Sequence, residues 1–143
     1  MIILIMWKHG ALFNLFLFAA GNVSKILWPG VKYNTRGESL RQLFKVEENN
    51  PLCSRKFRNH FEHYDERVQD WFENNSGGAY VDLAMNPFMI DPFFPTSSKS
   101  THRGYNSFNN TLVFRGETLD LNEVLTALDT IHKIANNARY SKY

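Results

Sequence analysis

The pattern of hydrophobic and polar positions along the chain predicts a mainly helical protein. Residues 2–28 are apolar on nearly every side and end at a Pro-Gly pair, which predicts one long helix covered on both flanks. Apolar side chains recur at helical spacing over residues 38–46, where a short helix is predicted. A last helix is predicted over residues 120–138, with Asp120 as its capping residue.

The most regular amphipathic pattern lies in residues 54–73. A helix there places one apolar stripe toward the core, formed by Phe57, Phe61, Tyr64, Val68, Trp71 and Phe72. At about 100° per residue, Arg58 and His60 flank an opposite, polar face that consists of Asn59, Glu62, His63 and Glu66. The pattern therefore brings an arginine and two histidines to the solvent side of one predicted helix.

The segment from residue 79 to residue 120 is the least regular part of the chain. Its prolines and many Ser, Thr and Asn residues break regular elements and leave short strands at residues 80–85 and 88–90 and an exposed loop at residues 96–107. We expect His102 and Arg103 in this loop to be solvated, and contact with a phosphate is the alternative. Thr111–Phe114 is a predicted strand that turns back as a hairpin. The predicted fold class is mainly α: a single domain over residues 1–143 with a small β-hairpin insertion before the last helix.

Composition narrows the classes of function. The 143 residues carry 16 basic and 14 acidic side chains, so a net charge of +2 supplies no strong global field for nucleic acid, and an RNA ligand would need a local patch. The single cysteine, Cys53, excludes an intrachain disulfide and a multi-cysteine zinc site. It also favours a reducing compartment.

The apolar N-terminus allows a second interpretation, a signal peptide or membrane segment. Residues 19–21 resemble a small-residue cleavage site, but Lys8 and His9 follow an apolar start instead of preceding it. Lys8, His9 and Gly10 also interrupt the run that a membrane helix needs. We therefore expect a buried helix in a cytoplasmic protein without a membrane anchor.

Arg58 and His63 have side chains suited to RNA cleavage without a metal. Histidine transfers protons near neutral pH, and an arginine stabilises charge on a phosphate through its fork of N–H donors. Attack by the RNA's own 2′-hydroxyl needs both of these services. The two residues lie roughly 140° apart on one helix, so two such helices facing each other across a two-fold axis would combine into one site.

The segment Arg58-Asn59-His60-Phe61-Glu62-His63 resembles the signature of the HEPN family, an arginine followed by a polar residue and, further on, a histidine. Members are helical bundles, and many dimerise through the motif helices and cleave RNA without metal in toxin–antitoxin or phage-defence systems. The resemblance, which covers residues 54–73, implies an HEPN-like bundle in which His63 transfers the proton, Arg58 stabilises the phosphate and Asn59 orients one of them. It also implies a homodimer, an RNA substrate and a regulatory partner such as an antitoxin.

The chain departs from one variant of that pattern. Some members carry, two residues after the histidine, a tyrosine that a nucleotidyltransferase antitoxin modifies. Asp65 occupies this position here, and Tyr64 follows His63 directly. The resemblance therefore does not extend to that route of regulation.

Plainer interpretations remain open for the same residues. Arg58 and His63 also fit surface ion pairs with Glu62 and Glu66, in which case the domain is a non-catalytic dimerisation or adaptor module. His60, Glu62 and Tyr64 are auxiliary candidates for the site. The spacing of His60 and His63 allows a metal, but the Glu-x-x-His pattern of bundle metal sites is missing, so we expect neither metal nor cofactor.

Overall fold

The computed structural model describes residues 2–75, 80–86 and 101–140, and for residues 2–10 it describes the helix but not the side chains. Over these residues the chain forms five α-helices: α1 Ile2–Leu27, α2 Asn34–Phe44, α3 Lys56–Glu62, α4 Tyr64–Asn74 and α5 Leu121–Tyr140. Four strands accompany them: β1 Ala84–Met85, β2 Arg103–Asn106, β3 Thr111–Phe114 and β4 Glu117–Asp120. The prediction of a mainly α chain is confirmed, whereas the HEPN type of its bundle stays a prediction.

The chain divides into two compact units. The first comprises Met1–Asn14 and Lys56–Leu121, and the second comprises Leu15–Arg55 and Asn122–Tyr143. The first unit therefore holds α3, α4, the sheet and the N-terminal half of α1, and the second holds α2, α5 and the C-terminal half of α1. A single domain over residues 1–143 stays a prediction.

The part of α1 in the second unit has one buried and one exposed flank. Its buried side chains follow helical spacing, at Leu17, Ala20, Ser24 and Leu27. On the other flank three large apolar side chains are more than half exposed: Leu15, Phe18 and Ile26. The sequence predicts that both flanks of this helix are covered, but in this part of α1 only the flank with Leu17, Ala20, Ser24 and Leu27 is.

The second helix begins earlier than its apolar pattern predicts. Residues 31–37, predicted as a connection, form a 3-10 turn at Val31–Tyr33 and the first turn of α2. Gly37 packs so closely on the end of α1 that a Cβ there would lie 2.8 Å from the Leu27 carbonyl oxygen. Arg41, which is buried, donates to the same oxygen at 2.6 Å. These tertiary contacts stabilise a helix start whose local sequence is polar.

The predicted continuous helix over residues 54–73 is wrong, because it breaks at His63. Here α3 ends at Glu62 and α4 begins at Tyr64, and His63 has φ −105° and ψ 40°. Hydrogen bonds still cross the break, since the His63 N–H donates to the Asn59 carbonyl at 3.0 Å and the Arg67 N–H donates to the His63 carbonyl at 3.1 Å. The break therefore alters one residue of the backbone, and that residue is the candidate proton-transfer group.

The insertion before α5 is a four-stranded sheet, larger than the predicted hairpin. The strand order is β1-β2-β3-β4, with β1 parallel to β2 and the other pairs antiparallel. The β3–β4 hairpin is confirmed, with Val113 opposite Thr118. The predicted exposed loop is wrong over residues 101–106, because Thr101 bridges Val81 and β2 follows. The predicted strand at residues 88–90 and the loop residues 96–100 lie outside the described residues.

The core of the first unit centres on β3. All four of its residues are buried, and Phe57 of α3 and Trp71 of α4 are buried in the same unit. The predicted apolar stripe is thus confirmed at these two positions, but Phe72 at its end is 59% exposed. The stripe fixes α3 and α4 with Asn59, Glu62, His63 and Glu66 exposed to solvent, whereas Arg58 and His60 are largely covered.

Candidate functional site

Arg58 lies on α3 with its side chain largely covered. The side chain is 14% exposed, and its Nη2 lies 3.1 Å from Glu62 Oε2, one helical turn later. Its other two donor atoms, Nε and Nη1, are buried and have no hydrogen-bond partner among the described residues. Arg58 thus has N–H groups without an acceptor, and a ligand would reach them only after the side chain moves outward.

His63 is the accessible histidine of the motif. Its side chain is 53% exposed, and Nδ1 lies 3.3 Å from Glu66 Oε1 in the first turn of α4. Asn59 and Glu62 are also exposed, which confirms the predicted polar face at these positions. No described contact joins Arg58 to His63. Each pairs instead with the carboxylate that the surface-pair interpretation predicts.

His60 is held in the interior of the first unit. Its ring stacks on Phe114 with the centroids 4.2 Å apart and the planes 9° from parallel. Its Nε2 lies 3.6 Å from Glu117 Oε2, which is 2.8 Å from Lys56 Nζ. Burial lowers the pKa of His60. This auxiliary candidate is thus a packed, neutral ring at neutral pH, and its contact to β3 arises only from the tertiary fold.

Tyr64, the residue after His63, enters a partly buried polar network that we call the Asp82 cluster: Tyr64, Tyr80, Asp82 and Arg103. The Tyr64 hydroxyl donates to Asp82 Oδ2 at 2.7 Å and lies 2.8 Å from the Tyr80 hydroxyl. Arg103 donates to both oxygens of Asp82, from Nε at 2.9 Å and from Nη2 at 2.6 Å. The Arg103 guanidinium also lies 3.7 Å from the centroid of the Tyr64 ring.

The Asp82 cluster is charged but internally neutralised. Burial favours the protonated form of Asp82, but hydrogen bonds from Arg103 and Tyr64 outweigh it and hold the pKa of Asp82 below its usual value. Burial, with the hydrogen bonds to Tyr80 and Asp82, raises the pKa of Tyr64. The cluster therefore contains one carboxylate, one guanidinium and two neutral phenols, and it leaves no net charge in the core.

His102, predicted to be solvated, is fully buried beside this cluster. Its ring is 0% exposed and packs against Tyr64, Tyr80 and Phe114 at centroid distances of 4.9 to 5.4 Å. Neither ring nitrogen has a hydrogen-bond partner among the described residues, and burial lowers the pKa of His102 to about 4. The prediction for Arg103 is also wrong, since its side chain is 15% exposed and pairs with Asp82.

Elsewhere, the second unit contains an open groove of about 650 Å³. It lies between the segment after α2 and the first two turns of α5, and its charged lining residues are Lys45, Glu47 and Glu123. None of the motif residues lines it. Within residues 2–75, 80–86 and 101–140, no group of three or more His, Cys, Asp or Glu side chains is arranged to hold a metal ion.

Comparison with known proteins identifies no relative of this chain. No family model, no curated protein and no solved structure matches this chain. In the part of the chain that the structure describes, no single helix has the length and apolar character to cross a membrane. The segments Ala11–Leu27 and Val31–Phe44 meet these criteria only as a pair, bent by 62°.

Proposed function

We propose that this protein is a metal-independent endoribonuclease of the HEPN type that acts as a homodimer through Arg58 and His63. The observation that carries the proposal is the exposed imidazole of His63, one helical turn from Asn59 on a segment that also bears an arginine with unpaired donors. A site for RNA needs such an accessible proton-transfer group beside a phosphate-binding cation.

In this reaction the neutral imidazole of His63 accepts the proton of a ribose 2′-hydroxyl. The oxygen attacks the adjacent phosphorus while the bond to the 5′-oxygen breaks. The protonated His63 of the second copy gives its proton to that leaving oxygen. The products are a 2′,3′-cyclic phosphate and a free 5′-hydroxyl, so atoms, charges and protons balance without a metal or other cofactor.

Arg58 is proposed to stabilise the charge on the phosphate. Its present partner, Glu62, lies one turn away on the same helix and is 37% exposed, so water reaches the carboxylate of this pair. A phosphate, which accepts two parallel hydrogen bonds, competes effectively for the same guanidinium. Asn59, exposed between Arg58 and His63 in the motif, orients one of them.

The test is cleavage of total RNA in the presence of EDTA by the wild type, Arg58→Ala and His63→Ala. We expect the wild type to cut and each variant to lose at least about 100-fold in rate, because each removes one chemical service. His132→Ala, which changes an exposed histidine on α5, is the matched control and should cut normally. Cleavage by His63→Ala at the wild-type rate would overturn the assignment.

A non-catalytic dimerisation or adaptor module is the second candidate. It is favoured by the observation that Arg58 and His63 both already pair with neighbouring carboxylates. This function predicts that the wild type leaves RNA from several sources intact while sedimentation shows a dimer. It also predicts that His63→Ala leaves the dimer unchanged.

A further inference from the structure

We propose that the Asp82 cluster is a positioning device that fixes the break at His63 and thereby aims the imidazole. This inference rests on the proposed function of His63. It assigns no catalytic role to Tyr64, Asp82 or Arg103, none of which is a residue of the exposed motif face. Their role is to hold the backbone from which the reacting group projects.

The backbone connects His63 directly to Tyr64, a residue of the Asp82 cluster. His63 is the residue with non-helical dihedral angles, and Tyr64 is the next residue along the chain. The Tyr64 side chain is held at its hydroxyl by Asp82 and Tyr80 and over its ring face by Arg103. A change in the His63 dihedral angles would pull Tyr64 out of all three contacts, so the cluster selects one backbone conformation at His63.

The residues that hold the Tyr64 side chain, Asp82 and Arg103, are themselves held by the sheet. Asp82 lies between the Val81 bridge and β1, and Arg103 is the first residue of β2, so both belong to or adjoin the sheet. The two-point contact between their side chains fixes direction as well as distance. The Tyr64 hydroxyl is therefore anchored to the sheet and not to a mobile surface side chain.

Arg103 is committed to the cluster and does not itself bind the substrate phosphate. Its guanidinium already donates to both Asp82 oxygens and covers the Tyr64 ring. Binding of a substrate phosphate by Arg103 would leave the Asp82 carboxylate without its countercharge.

The test compares Tyr64→Phe and Asp82→Asn with a matched control, Asp70→Asn. Asp70 also lies on α4 and pairs with Arg115 Nη1 at 2.5 Å, so the control removes another tether of this helix, away from His63. Two quantities are measured on each folded variant. They are the ¹H–¹³C resonances of the His63 ring, assigned by comparison with His63→Gln, and kcat and KM for RNA cleavage.

We expect both cluster variants to shift or broaden the His63 ring resonances and to lower kcat about 10- to 100-fold, with KM changed by less than about twofold. Asp70→Asn should leave the resonances and kcat unchanged. Unchanged ring resonances and unchanged kcat in Tyr64→Phe and Asp82→Asn would overturn the proposal. If Asp82→Asn does not fold, Tyr64→Phe, which keeps the ring and removes only the hydroxyl, decides the outcome.

The ring resonances also separate the two proposals. A wild type that does not cleave RNA contradicts the proposed function, and the resonances then decide alone whether the cluster positions His63. A wild type that cleaves, with cluster variants that retain both kcat and the resonances, contradicts only the positioning role.

Discussion

Two regions contain carboxylates paired with basic side chains: the exposed motif face, formed by Asn59, Glu62, His63 and Glu66, and the Asp82 cluster. They differ in how far apart along the chain the partners lie and in how exposed the carboxylates are. Glu62 and Glu66 pair with Arg58 and His63 three or four residues away on the same helical segment. Asp82 draws its partners from α4 and β2, 18 and 21 residues away along the chain. The Glu62 and Glu66 side chains are 37% and 66% exposed, whereas that of Asp82 is 19% exposed. The two arginines are covered to a similar extent, with Arg58 14% and Arg103 15% exposed.

The difference separates groups available to a ligand from groups that maintain the structure. Water reaches the carboxylates of both motif pairs, so a competing phosphate displaces these carboxylates more readily than it displaces Asp82. In the cluster, removal of one partner leaves another charge desolvated and unpaired. We therefore expect substitutions in the cluster to act mainly on stability and geometry, and substitutions on the face to act mainly on chemistry.

The largest expected effect on stability is that of Asp82→Ala. It leaves the Arg103 guanidinium and the Tyr64 hydroxyl without their shared acceptor, and we expect the free energy of unfolding to fall by about 3 kcal/mol. Chemical denaturation checks this value. Adding Arg103→Met should recover part of the loss, because it removes the unpaired charge. A loss below about 0.5 kcal/mol for Asp82→Ala would place the cluster in the same class as the exposed face.

His102 predicts a stability that falls in acid. The unfolded chain takes up a proton at this ring near pH 6.5, whereas the folded chain takes it up only near pH 4. The unfolded state thus binds more protons within this window, and lowering the pH through it removes up to about 3 kcal/mol from the free energy of unfolding.

The matched variant for this effect is His102→Leu, because the buried His60 contributes a change of the same sign in both proteins. Between pH 7 and pH 4, the free energy of unfolding from chemical denaturation should fall less for His102→Leu than for the wild type. An equal fall in the free energy of unfolding of both proteins would show that His102 accepts a proton in the folded protein as readily as in the unfolded chain.

The smallest expected effects come from Glu62→Gln and Glu66→Gln. Each exchanges an exposed carboxylate for a neutral amide whose oxygen still accepts a hydrogen bond, so we expect the free energy of unfolding to change by no more than about 0.5 kcal/mol. Thermal unfolding of the two variants beside the wild type measures this. A loss comparable to that of Asp82→Ala would remove the contrast between the two regions.

Sequence patterns were sufficient where the physical cause is local. A long apolar run that ends at Pro29-Gly30 located α1, and helical spacing of apolar residues located α5. The apolar Thr111–Phe114 run followed by Arg115-Gly116 located the β3–β4 hairpin. The same periodicity correctly placed Asn59, Glu62 and His63 in solvent. These features depend on side chains within one or two turns of each other, so the order of residues determines them.

Only the tertiary structure decided the break at His63, the strand at Arg103–Asn106 and the burial of His102. The segment around His102 is polar and resembles a loop, and its strand forms because β3 supplies hydrogen bonds and Asp82 neutralises Arg103. His60 likewise finds Phe114 only after the sheet has formed. Periodicity reports which side of an element faces the core, whereas a buried ion pair or a ring contact needs a partner from a distant segment, which the local pattern does not encode.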